Sequence, residues 1–112
     1  MTFSVEVARR ADAAVVALTG DLDIATEEQA TAELDRAMDG CALLIADLRG
    51  LAFLDSTGVR VLLAAHLRAQ ERGLRFAVAR GDGMVARLLE VTRISQRFPV
   101  VDEPDALIQS AG

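Results

Sequence analysis

The sequence predicts an α/β domain whose central β-sheet is mixed, and three observations support that prediction. Two short strand-like segments open the chain with only a polar break between them, as in an antiparallel hairpin. Segments with helical spacing and short apolar runs then alternate, which is the pattern of consecutive βαβ units. The run 41–46 is apolar throughout and too short for an independent helix, so it indicates a strand covered on both faces.

The composition indicates one globular domain over residues 1–112 and excludes several kinds of site. Hydrophobic residues make up 52% of the chain, which is enough to bury a core. All 12 basic residues are arginine, which excludes a Schiff-base lysine and a Walker-type phosphate loop. Cys41 and His66 are the only cysteine and histidine, so we expect no metal site and no cofactor. We expect Cys41 to be a buried, inert thiol.

Charge and hydropathy indicate where the protein works. The net charge of −5 argues against nucleic acid or an anionic membrane as a direct partner, because both favour a basic surface. The first residues alternate like a strand and contain no signal-peptide core, and no apolar run reaches the length of a membrane span. We therefore expect a soluble, cytoplasmic domain.

The amino end predicts a hairpin and an acidic loop. Phe3, Val5 and Val7 alternate with polar or small residues and predict the first strand. Residues 13–19 predict the second strand, antiparallel to the first. Residues 20–23 then end that strand in a loop that carries two carboxylates.

A first helix is predicted after this loop. Thr26 and Gln29 match a capping box, in which each side chain bonds a backbone N–H of the other residue. Gly40 is expected to end the helix. The apolar positions recur at helical spacing and are Ala30, Leu34, Ala37 and Met38. The strand 41–46 follows, and residues 47–50 are predicted to form a turn.

A second helix is predicted from an abrupt change in residues 51–58, where an apolar run ends in Asp-Ser-Thr-Gly. The helical pattern continues to about residue 72. Its predicted apolar face consists of Val59, Leu62, Leu63, His66, Leu67 and Gln70. Its predicted outer, solvated face includes Arg60, Ala64, Arg68, Glu71 and Arg72.

The remaining elements alternate in the same way. Residues 74–79 predict a strand, and residues 98–101 contain a proline and predict an edge strand. A third helix is marked by Met84, Val85, Leu88, Leu89 and Val91. A last helix is predicted from residues 102–105 through Leu107 and Ile108. The prediction is thus four to five strands flanked by about four α-helices.

Ser56 and Thr57 are the candidate functional hydroxyls, because they stand where a helix begins. Asp, Ser and Thr cap helix N-termini, and the unpaired N–H groups there favour an anion such as a phosphate. The carboxyl ends of parallel strands meet at one edge of a sheet, so we expect the loop 20–23 to lie beside Asp55 and Ser56. A phosphoryl group there would add roughly −1.5 to −2 charges among carboxylates. From the residues alone, the stretch is either a helix cap or a charge switch.

Three stretches together resemble the STAS family and, within it, the stand-alone anti-anti-sigma factors (anti-sigma factor antagonists) of bacteria. They are Leu18-Thr19-Gly20-Asp21-Leu22-Asp23, Phe53-Leu54-Asp55-Ser56-Thr57-Gly58-Val59, and residues 85–89 before a short strand. The resemblance covers essentially the whole chain and implies a STAS fold. One departure, Arg93 where many relatives have glycine, concerns the turn after the third helix.

The resemblance implies a regulatory binding protein and not an enzyme. Such relatives bind an anti-sigma factor that is also a serine kinase, and so free a sigma factor for transcription. The kinase phosphorylates the first hydroxyl residue after the motif's aspartate, here Ser56 with Thr57 as a minor candidate, and a PP2C-type phosphatase restores binding. The implied partner contacts are Asp21, Asp23, Asp55, Ser56, Thr57 and Gly58. The exposed start of the second helix adds Arg60, Val61 and Ala64 as candidates.

Three other functions are alternatives to this one. An enzyme with Ser56 as nucleophile lacks a nearby base, because His66 lies about 15 Å farther along the helix, and the chain has no Gly-x-Ser-x-Gly elbow. A carrier with a prosthetic group on Ser56 would be a helical bundle, which the predicted strands contradict. A non-phosphorylated STAS scaffold in a stress-signalling or lipid-transport complex keeps the fold, and only its partner separates it from the switch. We interpret His66 as structural.

Overall fold

The computed structural model describes residues 3–108, and its elements follow the predicted order. Five strands run over Ser4–Arg10 (β1), Ala13–Leu22 (β2), Leu43–Leu54 (β3), Arg75–Ala79 (β4) and Val100–Val101 (β5). The α-helices of these residues are Glu27–Ala37 (α1), Ser56–Glu71 (α2) and Gly83–Val91 (α3), and short 3-10 turns cover Ile94–Gln96 and Pro104–Ala106. The predicted α/β class is confirmed.

The sheet is mixed, as predicted. Its strands lie in their order along the chain, β1-β2-β3-β4-β5. β1 pairs antiparallel with β2, and each later strand pairs parallel with the one before it. Because parallel crossovers are right-handed, this order places the three helices on one face of the sheet. The largest core cluster agrees, since it joins Leu34, Leu62 and Leu89 of the helices to Leu44 and Val78 of the strands.

The opposite face of the sheet is covered by the segment that follows β5. Leu107 and Ile108 pack there against a second buried cluster that includes Ile45. The prediction that the strand around residues 41–46 is covered on both faces is therefore confirmed. The predicted last helix is wrong within residues 3–108, where the chain makes a single 3-10 turn over Pro104–Ala106. So short a segment, with few apolar side chains to pack, does not repay the cost of helix nucleation.

β2 and β3 run farther than predicted. Most of the predicted loop 20–23 belongs to β2, and the whole predicted turn 47–50 lies inside β3. Asp47 is only 7% exposed, and its two carboxylate oxygens accept hydrogen bonds from Nε and Nη2 of Arg49 at 2.9 and 3.0 Å. Residues two apart on a strand share a face, so this pair neutralises itself within the strand. A charge pattern typical of a turn is thus compatible with a buried strand.

α2 buries a different arc from the predicted one. Leu67 is 58% exposed, whereas Ala65 and Ala69 are fully buried. Gln70, also assigned to the apolar face, is exposed. The small side chains allow the helix to lie close to the sheet, and that close approach decides which face is buried.

Two of the three arginines predicted to lie on a solvated face of α2 instead join two helices, whereas Arg60 is exposed as predicted. Arg68 pairs with Asp35 of α1, and Arg72 pairs with Asp39 just beyond α1. Both pairs are partly exposed, so each stabilises the packing by at most about 1 kcal/mol.

The structure also bears on two expectations about single residues, Cys41 and Arg93. Cys41 is buried as predicted, and desolvation by burial raises the pKa of its thiol. Arg93 follows α3 with φ 55° and ψ 34°, which lies in the left-handed region that favours glycine. Arg93, which stands where a glycine was expected, therefore lies in the turn after α3, as the sequence predicts. No helix in the described part of the chain is long and apolar enough to cross a membrane.

Candidate functional site

The ends of β2 and β3 bring the two motifs side by side. In the parallel ladder, Asp21 pairs with Phe53 and Leu22 pairs with Leu54. The chain leaves β2 into the loop before α1, and it leaves β3 directly into α2. Both exits lie at the carboxyl edge of the sheet, so the acidic loop and the Asp-Ser-Thr-Gly stretch are neighbours.

Gly58 holds the start of α2 against the end of β2. A Cβ atom on Gly58 would lie 2.3 Å from Cδ1 of Leu54 and 2.9 Å from the carbonyl oxygen of Leu22. No larger residue fits without displacing backbone. Because Gly58 is buried, its role in this structure is packing, and it lies below the surface that a partner would meet.

Asp55 caps α2. Its Oδ1 accepts a hydrogen bond from the backbone N–H of Gly58 at 3.1 Å, and its carbonyl oxygen accepts one from the N–H of Val59 at 3.0 Å. Its backbone is extended, as the N-cap position requires. One oxygen of the Asp55 carboxylate therefore caps the helix. This cap fixes the next residue, Ser56, at the first position of α2.

The two adjacent hydroxyl residues differ in exposure. Ser56 is the first residue of α2 and is exposed to solvent. Thr57 is 8% exposed, and its Oγ1 accepts a hydrogen bond from Nη2 of Arg60 at 3.3 Å. Of the two hydroxyls, only that of Ser56 belongs to a residue open to the surface.

Hydrogen bonds of the Thr26 and Asp23 side chains hold the acidic loop in its conformation. Thr26 is the N-cap of α1, but its side chain bonds no N–H of that helix, so the predicted capping box is wrong. Its Oγ1 instead donates to the carbonyl oxygen of Asp21 at 2.8 Å and accepts from the N–H of Asp23 at 3.1 Å. Oδ1 of Asp23 accepts from the N–H of Ala25 at 3.0 Å. Such local bonds compete with helix capping, and here they hold the loop in a tight turn.

Two exposed apolar residues accompany this loop, and neither is among the predicted partner contacts. Ile24 follows Asp23 and is 78% exposed, and Phe53, the ladder partner of Asp21, is 38% exposed. The available signal was the position of Ile24, a large apolar residue directly after the predicted loop 20–23. Apolar side chains of this kind beside charged groups are typical of protein contact surfaces.

The other predicted contact residues divide between surface and core. Arg60 is exposed and Ala64 is half-buried. Val61 is 3% exposed and belongs to the main core cluster, because α2 turns that side toward the sheet. Its side chain cannot meet a partner on the folded domain, which corrects the expectation for Val61.

His66 packs away from Ser56 against two aromatic rings. Its ring centroid lies 6.0 Å from that of Phe76 and 5.3 Å from that of Phe98. The helical rise places it about 15 Å from Ser56 along α2. In residues 3–108, no group of three or more histidine, cysteine or acidic side chains is arranged to hold a metal ion.

The fold is a mixed sheet with sequential parallel crossovers, and the site is an exposed serine on a capped helix beside an acidic loop. Together these features define the class of protein. The chain belongs to the STAS domain family, whose family model matches residues 4–106. It is similar to the anti-sigma F factor antagonist of Paenibacillus polymyxa, with 28% identity over 112 residues, 97% of this chain and 96% of that protein.

Solved structures share this fold. An anti-sigma factor antagonist from Mycobacterium paratuberculosis matches with a TM-score of 0.80 and 23% identity, over 94% of this chain and 90% of that one. The Bacillus cell fate determinant SpoIIAA in its phosphorylated form matches with a TM-score of 0.67 and 21% identity, over 95% and 96% of the two chains. At these identities the likeness establishes the fold.

Proposed function

We propose that this STAS domain is an anti-sigma factor antagonist that binds a kinase-type anti-sigma factor and is released when Ser56 is phosphorylated. The observation that carries the proposal is the contrast between an exposed Ser56 at a capped helix start and a buried Thr57 beside it. The curated relative carries the name of such an antagonist. A protein of the same fold exists in a phosphorylated form.

The partner surface in this proposal consists of Asp21, Asp23, Ile24, Phe53 and Ser56. It combines carboxylates with exposed apolar area. Charge complementarity sets orientation and association rate, and desolvated apolar contacts supply most of the affinity. The matching surface on the anti-sigma factor is therefore partly basic and partly apolar.

In this proposal, phosphorylation dissociates the complex with the anti-sigma factor because it adds negative charge and bulk at Ser56. A kinase that modifies Ser56 must bring the phosphates of its nucleotide to the serine hydroxyl. A phosphoryl group already on Ser56 carries roughly −1.5 to −2 charges and would meet those phosphates directly. The neighbouring carboxylates of Asp21 and Asp23 add to the repulsion, although the start of α2 favours the anion. Because Ser56 is exposed, the domain itself need not refold.

Removal of the phosphoryl group restores the original surface, since no core residue changes. A PP2C-type phosphatase fits this task in the proposal, because it hydrolyses a phosphoserine that stands open to solvent. The antagonist supplies no catalytic group of its own. The nucleotide and the chemistry belong to the kinase and to the phosphatase.

The decisive experiment incubates the full chain with a kinase-type anti-sigma factor and ATP, followed by phosphopeptide mapping. We expect phosphate on Ser56 and not on Thr57. Ser56→Ala should remain unmodified and stay bound when ATP is added, while Ser56→Asp should not bind. Ser95→Ala, which removes another exposed hydroxyl, is the matched control and should behave as the unaltered protein. Binding without phosphate on either residue would instead favour the non-phosphorylated scaffold.

A second experiment tests the apolar part of the partner surface. Ile24→Ser should weaken binding of the anti-sigma factor about tenfold, because it removes an exposed apolar contact without disturbing the core. Val91→Ser is the matched control, since Val91 is 71% exposed on α3 and lies outside the partner surface. Equal affinity of the two variants, measured by calorimetry, would remove Ile24 from the interface.

A further inference from the structure

A cavity of about 270 Å³ lies near the far end of α2 from Ser56, and the proposed function makes no use of it. It reaches residues on both faces of the sheet at the start of β4. Its apolar wall is formed by Leu43, Leu74, Phe76, Phe98, Pro99 and Leu107. Phe76 and Phe98 meet edge to face with their ring centroids 4.9 Å apart, which makes one side of the cavity aromatic.

The cavity exists because β5 is short. β5 pairs only with Val78 and Ala79 of β4. The first residues of β4, Arg75 to Ala77, pair with β3 on one side and have no strand beside them on the other in the described part of the chain. The gap therefore follows from the topology and is not a loosely packed region of the core.

One residue that lines this cavity has a buried polar atom without a partner. His66 lines it, and the buried Nδ1 of His66 has no hydrogen-bond partner within residues 3–108. A buried ring nitrogen without a partner is unfavourable, so this part of the cavity lining is not fully satisfied in the folded chain.

Two cationic side chains flank the cavity. Arg75 and Arg97 line it, both are exposed, and neither forms an ion pair with a described residue. Other arginines of the domain do pair with carboxylates, and these are Arg10, Arg36, Arg49, Arg68, Arg72 and Arg80. Four further arginines also form no ion pair within residues 3–108. It is therefore the position of Arg75 and Arg97 beside one apolar cavity that favours an anion there.

We propose that this cavity binds a small amphipathic carboxylate with a single short hydrocarbon chain. The chain would lie against Phe76 and Phe98, and the carboxylate would face Arg75 and Arg97 at the opening. The volume of about 270 Å³ is slightly below the usual range for ligand sites, which fits one short chain and not a two-chain lipid. The site is separate from the partner surface, so this inference does not depend on the phosphorylation switch.

The test compares three probes of equal chain length on the full chain: octanoate, octanol and octylammonium. Amide chemical shifts in a titration should map octanoate to the residues around His66, Phe76 and Phe98. Octanoate should bind about fivefold more tightly than octanol, because two exposed ion pairs contribute modestly. Octylammonium should bind more weakly than either.

Arginine variants test whether Arg75 and Arg97 cause the difference in affinity between octanoate and octanol. Combined Arg75→Ala and Arg97→Ala should lower the affinity for octanoate to that for octanol and leave octanol binding unchanged. Arg87→Ala, which removes an exposed arginine outside the cavity, should bind octanoate as the unaltered protein does. The inference is overturned if octanoate and octanol bind equally, if neither binds saturably, or if the shifts map elsewhere. The probe comparison needs no variant to fold.

Discussion

Two of the three helices that start at the carboxyl edge of the sheet, α1 and α2, use their hydroxyl residues in opposite ways. At α1, the hydroxyl of Thr26 turns back and bonds Asp21 and Asp23 of the loop. At α2, the carboxylate of Asp55 accepts the capping bond, and Ser56 remains exposed. The difference teaches that a hydroxyl at a helix start is open to modification only when neither the preceding loop nor the packing of the helix engages it, because Asp55 already supplies the cap of α2.

The largest expected effect removes the close approach that positions α2. Gly58→Ala should lower the free energy of unfolding by about 2–3 kcal/mol, because the added Cβ meets Leu54 and the Leu22 backbone. Urea unfolding measures it. Gly40→Ala is the control, since Gly40 has φ +79° but nothing within 4 Å of an added Cβ, and it should cost about 1 kcal/mol. Equal losses would mean that packing at Gly58 does not position the helix.

The next effect removes the cap of α2. Asp55→Ala should cost about 1 kcal/mol, because the N–H of Gly58 loses its acceptor. Asp55→Asn keeps a capping oxygen and should recover most of that loss in thermal unfolding. If the asparagine variant were as unstable as the alanine variant, the carboxylate would stabilise the site through its charge and not through the cap.

A somewhat smaller effect is expected at the other helix start. Thr26→Val keeps the shape of the side chain and removes the hydroxyl that bonds Asp21 and Asp23, so it should cost about 0.5–1 kcal/mol. Thr31→Val, at a half-buried position on the same helix, should change stability by less. The comparison of the two helix starts would fail if the two variants lost equal stability.

The smallest effect on stability is expected at Ser56. Ser56→Ala should change the free energy of unfolding by less than about 0.5 kcal/mol, as is usual for an exposed side chain. Thr57→Ala should cost more, because Thr57 is 8% exposed and packs beneath the helix start. Chemical denaturation of both variants ranks them, and the reverse order would contradict the division between an available and a structural hydroxyl.

Much of the fold could be predicted because local patterns are enough to place elements in order. Residues 43–46 of the apolar run 41–46 lie in β3, and the stretch around Ser56 starts α2, as the sequence predicts. The end of β3 could not be predicted from the sequence. Asp47 and Arg49 are residues typical of a turn, and only the structure shows that their side chains pair within the strand. Element ends depend on such pairings, which residues in sequence do not reveal.

The candidate site was predicted in part. The motif locates Ser56 and the acidic loop, and strand order brings them together. Ile24 and Phe53 required the structure, because exposure beside the loop is a property of the folded surface. Val61 required it too, since hydrophobic spacing on α2 does not say which arc meets the sheet.

The sequence by itself determined the class of fold, the order of its elements and the position of the serine at a helix start, because periodicity and capping residues act over a few neighbours. Only the tertiary structure decided which hydroxyl is exposed. Burial of Thr57 results from the side of α2 that packs on the sheet, and the close approach at Gly58 depends on Leu22, far away in the chain. Long-range packing therefore separates two hydroxyls that local chemistry treats alike.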